Sequence, residues 1–221
     1  MSENTLTPSA SQQQSNLGFS APLADKYRPR QISGFLGLEK PRKIMGRFAA
    51  NPRAAAFLFS GPSGTGKSTM ALALCEAIRG ELIHVPSQHC TVPELEDALQ
   101  RTQYVPMASK KFWFVLVDEA DQMTEKAQLA LLSKLDATAR IENCVFVFTC
   151  NDTDGLEKRF LSRCLTVEFS SYGLNGNLTT FLRDVWLAEG GTEQNAPNFA
   201  RLASGNVRDS LSRLEVELMA V

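Results

Sequence analysis

The run GPSGTGKS (61–68) follows the apolar stretch FLFS (57–60) directly and opens the helix-forming stretch KSTMALALCEAIRG. It fits GxxxxGK[ST], a pattern that needs a strand end, a turn of bare backbone and a helix N-terminus in succession. Few sequence features restrict a fold as much, because that succession belongs to an α/β layer. Gly61, Gly64 and Gly66 let backbone N–H groups turn inward around phosphate oxygens where side chains would clash. The helix N-terminus adds partial positive charge, Lys67 is placed to reach β- and γ-phosphates, and the Ser68 hydroxyl is placed to ligate Mg²⁺. The predicted cradle is the whole run Gly61, Pro62, Ser63, Gly64, Thr65, Gly66, Lys67, Ser68 and Thr69.

Such a cradle needs an acidic partner for its metal on a neighbouring strand. FVLVDEAD supplies it: Asp118, at the strand's C-terminal end, is the predicted Mg²⁺ carboxylate, acting through water. Glu119 follows and is placed to take a proton from an attacking water, a contribution of ~10²–10⁴ in rate. Asn151 follows the apolar run FVFTC. An asparagine after a strand is often only a turn residue, but its inferred place beside the Asp118 strand lets its amide orient that water.

The chain has 221 residues, 43% apolar and 21% charged, with a net charge of −1. That balance fits a soluble globular protein and supplies no global basic field for nucleic acid, so any such contact needs a local patch. Arg101, Lys110 and Lys111 form the best one, with a solvated charged loop as the plain alternative. Cys75, Cys90, Cys144, Cys150 and Cys164 show no CxxC pair, which points to buried, reduced thiols in a cytoplasmic protein. His84, His89 and Cys90 lie close together but lack a further ligand pair at metal-site spacing. The longest strongly apolar run, FWFVLV, is far too short to span a bilayer, and no membrane is expected as a partner.

Residues 1–20, rich in Ser, Gln, Asn and Thr, read as a disordered tail. Five apolar runs (FLFS, ELIHV, FWFVLV, NCVFVFTC and CLTVEF) then alternate with helical patterns. The helix after the cradle reads as stopped by Gly80. Uninterrupted apolar strands alternating with helices predict an α/β fold, a parallel five-stranded sheet covered on both faces, over 21–170. Residues 171–221 read as three helices separated by Gly, a small lid domain.

These motifs together resemble the AAA+ ATPases and, within them, the clamp-loader small subunits of the replication factor C type. The resemblance begins at KYRP (26–29), runs through GPSGTGKST, DEADQMTEKAQLALL, FVFTCN and SRC, and closes at GNVRDSL. It implies ATP with Mg²⁺ as ligand, and ATP hydrolysis dependent on oligomer assembly. Tyr27, Arg28 and Pro29 would frame the base. Asn151 would be the sensor-1 residue, Arg208 the sensor-2 arginine of the lid, and Arg163 an arginine finger acting on the nucleotide of a neighbouring AAA+ subunit, like or unlike this one. Residues 88–109 correspond to the region that faces a sliding clamp, and primer–template DNA is a further candidate partner.

Three departures matter. No helical collar is expected after the lid, Leu132 and Ser133 stand where the family carries basic residues, and no zinc module is expected. They keep open an AAA+ remodeller or ATP-dependent switch that acts on another DNA or protein complex without clamp loading. An RNA helicase, suggested by DEAD, would need a second α/β domain. Arg163 also has a structural alternative, an ion pair with Glu168 or a nearby acid.

Overall fold

The apolar runs form five strands: β1 (Ala55–Ser60), β2 (Gly80–Val85), β3 (Phe112–Val117), β4 (Cys144–Cys150) and β5 (Leu165–Glu168). They pair in the order β2-β3-β4-β1-β5, every pair parallel. The computed structural model describes residues 21–86, 90–107, 109–136, 141–172 and 174–220. The stretch read as a tail, and His89, lie outside the described residues.

Parallel neighbours require crossovers, and the helices that make them cover the sheet. On one face α2 (Glu39–Ala50) and α3 (Lys67–Ala77) lay Met45, Phe48, Met70 and Leu74 against Phe57, Phe59, Phe114 and Val147. On the other, α4 (Val92–Arg101) and α5 (Glu125–Leu135) bring Leu95, Leu99, Leu131 and Leu135 onto Leu58, Val115, Phe146 and Phe148. Local signals start these helices. Thr91 and Glu94 form a reciprocal capping box on α4, and the Thr124 hydroxyl accepts from the Ala127 N–H at the head of α5. β3 and β4 are buried throughout, whereas β5 buries only Val167. An edge strand has one neighbour and incomplete helical cover.

The stop after α3 differs from the expectation. The helix ends at Ala77, Arg79 takes the left-handed turn at φ 56°, and Gly80 is the first residue of β2. A Cβ on Gly80 would lie 2.9 Å from both Cys75 Sγ and Phe114 Cβ, so close packing, not helix termination, is what requires glycine there.

After a short helix, α6 (Lys158–Leu161), and β5, the chain forms α7 (Leu174–Ala188), α8 (Phe199–Leu202) and α9 (Val207–Met219). These bury their own core of Leu178, Leu182, Trp186, Leu211 and Leu214. The N-terminal arm joins it: α1 (Leu23–Lys26) contributes Leu23 to this cluster. Among the described residues no helix is long and apolar enough to cross a membrane.

Candidate functional site

Strand register decides which loops meet. Ser60 at the end of β1 pairs with Cys150 at the end of β4, and Val117 at the end of β3 pairs with Phe148. Gly61, Asn151 and Asp118 therefore leave the sheet side by side at its C-terminal edge, where open α/β sheets bind ligands.

The cradle is glycine by necessity. A Cβ on Gly61 would sit 2.0 Å from the Phe169 carbonyl oxygen, and Gly64 holds a left-handed φ of 74°. Lys67 is only 8% exposed, and its Nζ donates to the carbonyls of Gly61 (2.6 Å) and Pro62 (2.9 Å) and to Asn151 Oδ1 (3.2 Å). Burial lowers the Lys67 pKa, while the charges of Asp121, Asp118 and Glu119 act to raise it.

Asp118 sits in a set of three donors. The hydroxyls of Ser68 (2.6 Å) and Thr149 (2.9 Å) donate to its Oδ1, and His84 Nε2 lies 2.9 Å from its Oδ2. Next to it, Glu119 holds a left-handed backbone at φ 52° and ψ 51°, a strain of about 1–2 kcal/mol for a residue with a Cβ. Its N–H donates to Thr149 Oγ1 at 3.1 Å, and Ala120 behind it is fully buried. One buried threonine thus fixes both acidic residues. Its only sequence signal is a polar residue inside an apolar strand.

Two hard oxygen donors, Ser68 Oγ and Asp118 Oδ1, converge at the mouth of a glycine cradle, which fits Mg²⁺ on a polyphosphate. His84 faces Asp118 rather than a cysteine. Burial pushes the Cys90 thiol up to about 11. All five cysteines are free, and burial raises the pKa of each.

The lid reaches the cradle through a residue that sequence reasoning missed. Asn206 Oδ1 accepts from the Asp209 N–H and caps α9, while its Nδ2 donates to the Ser63 carbonyl at 3.3 Å. A Cβ on Gly64 would lie 2.1 Å from Asn206 Oδ1, so the helix end rests on the turn itself. Asn after Gly205, three residues before Asp209, is the readable sign of this cap. Arg208 is exposed in the first turn of α9.

The arm residues divide. Tyr27 Oη donates to Glu189 Oε1 at 2.5 Å, Arg28 pairs with Asp25 at 2.7 Å, and Pro29 is half-buried. Lys26 Nζ also pairs with Glu189, at 2.7 Å. Burial would raise the Glu189 pKa, but the hydrogen bonds of Lys26 and Tyr27 and the Lys26 charge outweigh it and hold the carboxyl below its usual range.

Arg163 is separate from all of these. It precedes β5 and shares a cavity with Arg53 and Ala54–Ala56 at the N-terminal end of β1, roughly 17 Å along the strand from the cradle at about 3.3 Å per residue. It pairs with Asp136 at 3.1 Å, not with Glu168.

The strand order and the cradle at the end of β1 define a P-loop nucleotide-binding α/β protein. Within that class the chain belongs to the ATPase family associated with various cellular activities (AAA), whose family model matches residues 57–172. Over 153 residues it is 30% identical to replication factor C small subunit 1 of Pyrobaculum islandicum, covering 66% of this chain and 46% of the relative. A replication factor C small subunit of Thermofilum pendens is 31% identical over 157 residues, 66% of this chain and 46% of that one. The chain thus spans about half the length of the curated relatives it matches. In fold it is similar to the Holliday junction branch migration motor RuvB of Thermotoga maritima, with a TM-score of 0.70 at 18% identity, covering 86% of this chain and 64% of that one.

Proposed function

We propose that this chain binds and hydrolyses ATP as a clamp-loader-like AAA+ subunit and couples that ATP to assembly on DNA or a sliding clamp. The observation that carries the hydrolytic part is the convergence of Lys67, Asn151, Ser68 and Asp118 above the glycine cradle. In this reading Lys67 and the cradle N–H groups hold the β- and γ-phosphates. Asn151 orients the attacking water, Glu119 takes its proton, and Arg208 reaches the phosphate from the lid. Mg²⁺, held by Ser68 and Asp118, neutralises charge on the phosphates when bound.

The clamp-loader part rests on similarity to the replication factor C small subunits. Exposed apolar side chains support it: Tyr104, Val105 and Met107 are 75%, 90% and 69% exposed in the region expected to face a clamp. Lys110 and Lys111 are exposed beside it, as a DNA-backbone contact requires, whereas Arg101 is paired with Asp97 at 3.2 Å.

Arg163 acts on the nucleotide of an adjoining subunit in this reading. Its place at the far end of the sheet keeps it from its own cradle, which supports a role in trans. Such a finger is worth ~10³–10⁵ in rate, or about 4–7 kcal/mol of transition-state stabilisation. The test mixes two inactive variants. Arg163→Ala keeps its cradle, Lys67→Ala keeps its finger, and the mixture is expected to recover part of the lost turnover. Additive inactivity, with wild-type turnover independent of protein concentration, would instead leave Arg163 as a structural partner of Asp136.

A further inference from the structure

Arg163 is held by more than its place before β5. Its Nη2 lies 3.1 Å from Asp136 Oδ2, and its Nη1 donates to the Arg159 carbonyl at 2.9 Å. Its Nε is buried with no partner among the described residues. A guanidinium carries five N–H groups, two on each η nitrogen. One on each is engaged here, which leaves a second N–H on each for another anion. The side chain is 30% exposed and borders a cavity of about 570 Å³, lined also by Arg53, Ser162, Cys164 and Leu135. Asp136 is the C-cap that directly follows α5, so its carboxylate stands at the end of a packed helix.

A half-exposed ion pair contributes little to stability. What it fixes is orientation: a charge-assisted bond to one η nitrogen and a carbonyl on the other set the plane of the guanidinium. We propose that Asp136 is the positioning residue for Arg163, holding its guanidinium in the attitude that presents the remaining η N–H groups to the nucleotide of an adjoining subunit. This rests on the reading of Arg163 as a finger in trans and adds the residue that aims it. The sequence does not mark the pair, since 27 positions separate the two residues.

The test assigns donor and acceptor roles within the full chain. Arg163→Ala subunits accept a finger, and Lys67→Ala subunits lend one; the turnover recovered by mixing them is the reference. Adding Asp136→Ala to the donor is expected to lower that recovery by between about tenfold and about a hundredfold, the scale of a misplaced catalytic group. Asp136→Asn, whose amide oxygen still accepts a hydrogen bond, is expected to restore most of it. Adding Asp136→Ala to the acceptor instead is expected to leave recovery at the reference, an asymmetry that a general loss of folding would not produce. Asp136→Ala donors that match the reference, or acceptors that fall as far as donors, would overturn the positioning role and leave the finger standing. Lys67→Ala donors that recover no more than Lys67→Ala/Arg163→Ala donors would overturn the trans reading, and the role of Asp136 with it.

Discussion

Lys67 and Asn151, 84 positions apart in the chain, meet above the sheet, where Lys67 Nζ donates to Asn151 Oδ1 across 3.2 Å. The bond joins the helix that follows β1 to the end of β4, so the ammonium and the amide address the same point. Asn151→Ala is expected to keep nucleotide affinity while turnover falls by ~10²–10³, the cost of removing one preorganised polar group from a transition state. Lys67→Ala is expected to lose the affinity itself. A fluorescent-nucleotide titration beside phosphate release separates the two; equal loss of affinity in both variants would show that Asn151 only holds Lys67.

Glu119 holds its left-handed backbone directly after Asp118. Glu119→Gln is expected to bind nucleotide normally and lose ~10²–10⁴ in turnover. Glu119→Gly is expected to be equally inactive but more stable by about 1 kcal/mol, because glycine adopts the left-handed turn without strain. Thermal melting with a turnover assay checks both, and a Glu119→Gly variant that melts lower would count against stored strain.

Asn206 serves two ends at once, capping α9 and donating to Ser63. Asn206→Ala is expected to cost about 1 kcal/mol from the cap alone and to weaken nucleotide binding as well, since the lid loses its hold on the cradle. Asn206→Ser keeps a capping oxygen without reaching Ser63, so it is expected to recover stability but not affinity. Recovery of both would place the whole effect in the cap.

The Glu189 clasp on Lys26 and Tyr27 gives a pH dependence of known sign. The Glu189 pKa lies lower in the folded chain than in the unfolded one. Its stabilising contribution is therefore complete above the unfolded value and is lost as pH falls through the folded value. Glu189→Gln is expected to melt below wild type near neutral pH and to converge with it in acid, below the ordinary carboxylate range. A melting difference that stays constant across that window would remove the clasp as its cause.

The sheet and the cradle were legible because both are local. Uninterrupted apolar runs such as FWFVLV read as inner strands, and the glycines of GPSGTGKS mark a turn of bare backbone between strand and helix. Where local reading failed, distant neighbours were the reason. Gly80 looks like a helix stop, yet what it avoids is Phe114 across the sheet. Likewise no spacing along the chain marks Asp118 as the partner of the His84 imidazole, 34 positions away.

By itself the sequence determined the order of elements, the residue types of the cradle and the acidic pair after β3, because each of these depends on neighbours a few positions away. Only the tertiary structure decided the pairings that give those residues their surroundings. Thr149 holds Asp118 and Glu119, Asn206 rests on Ser63, Glu189 clasps Tyr27, and Asp136 meets Arg163. Each partner lies beyond a crossover or in another element, and its distance is set by strand order, register and helix packing rather than by any spacing along the chain.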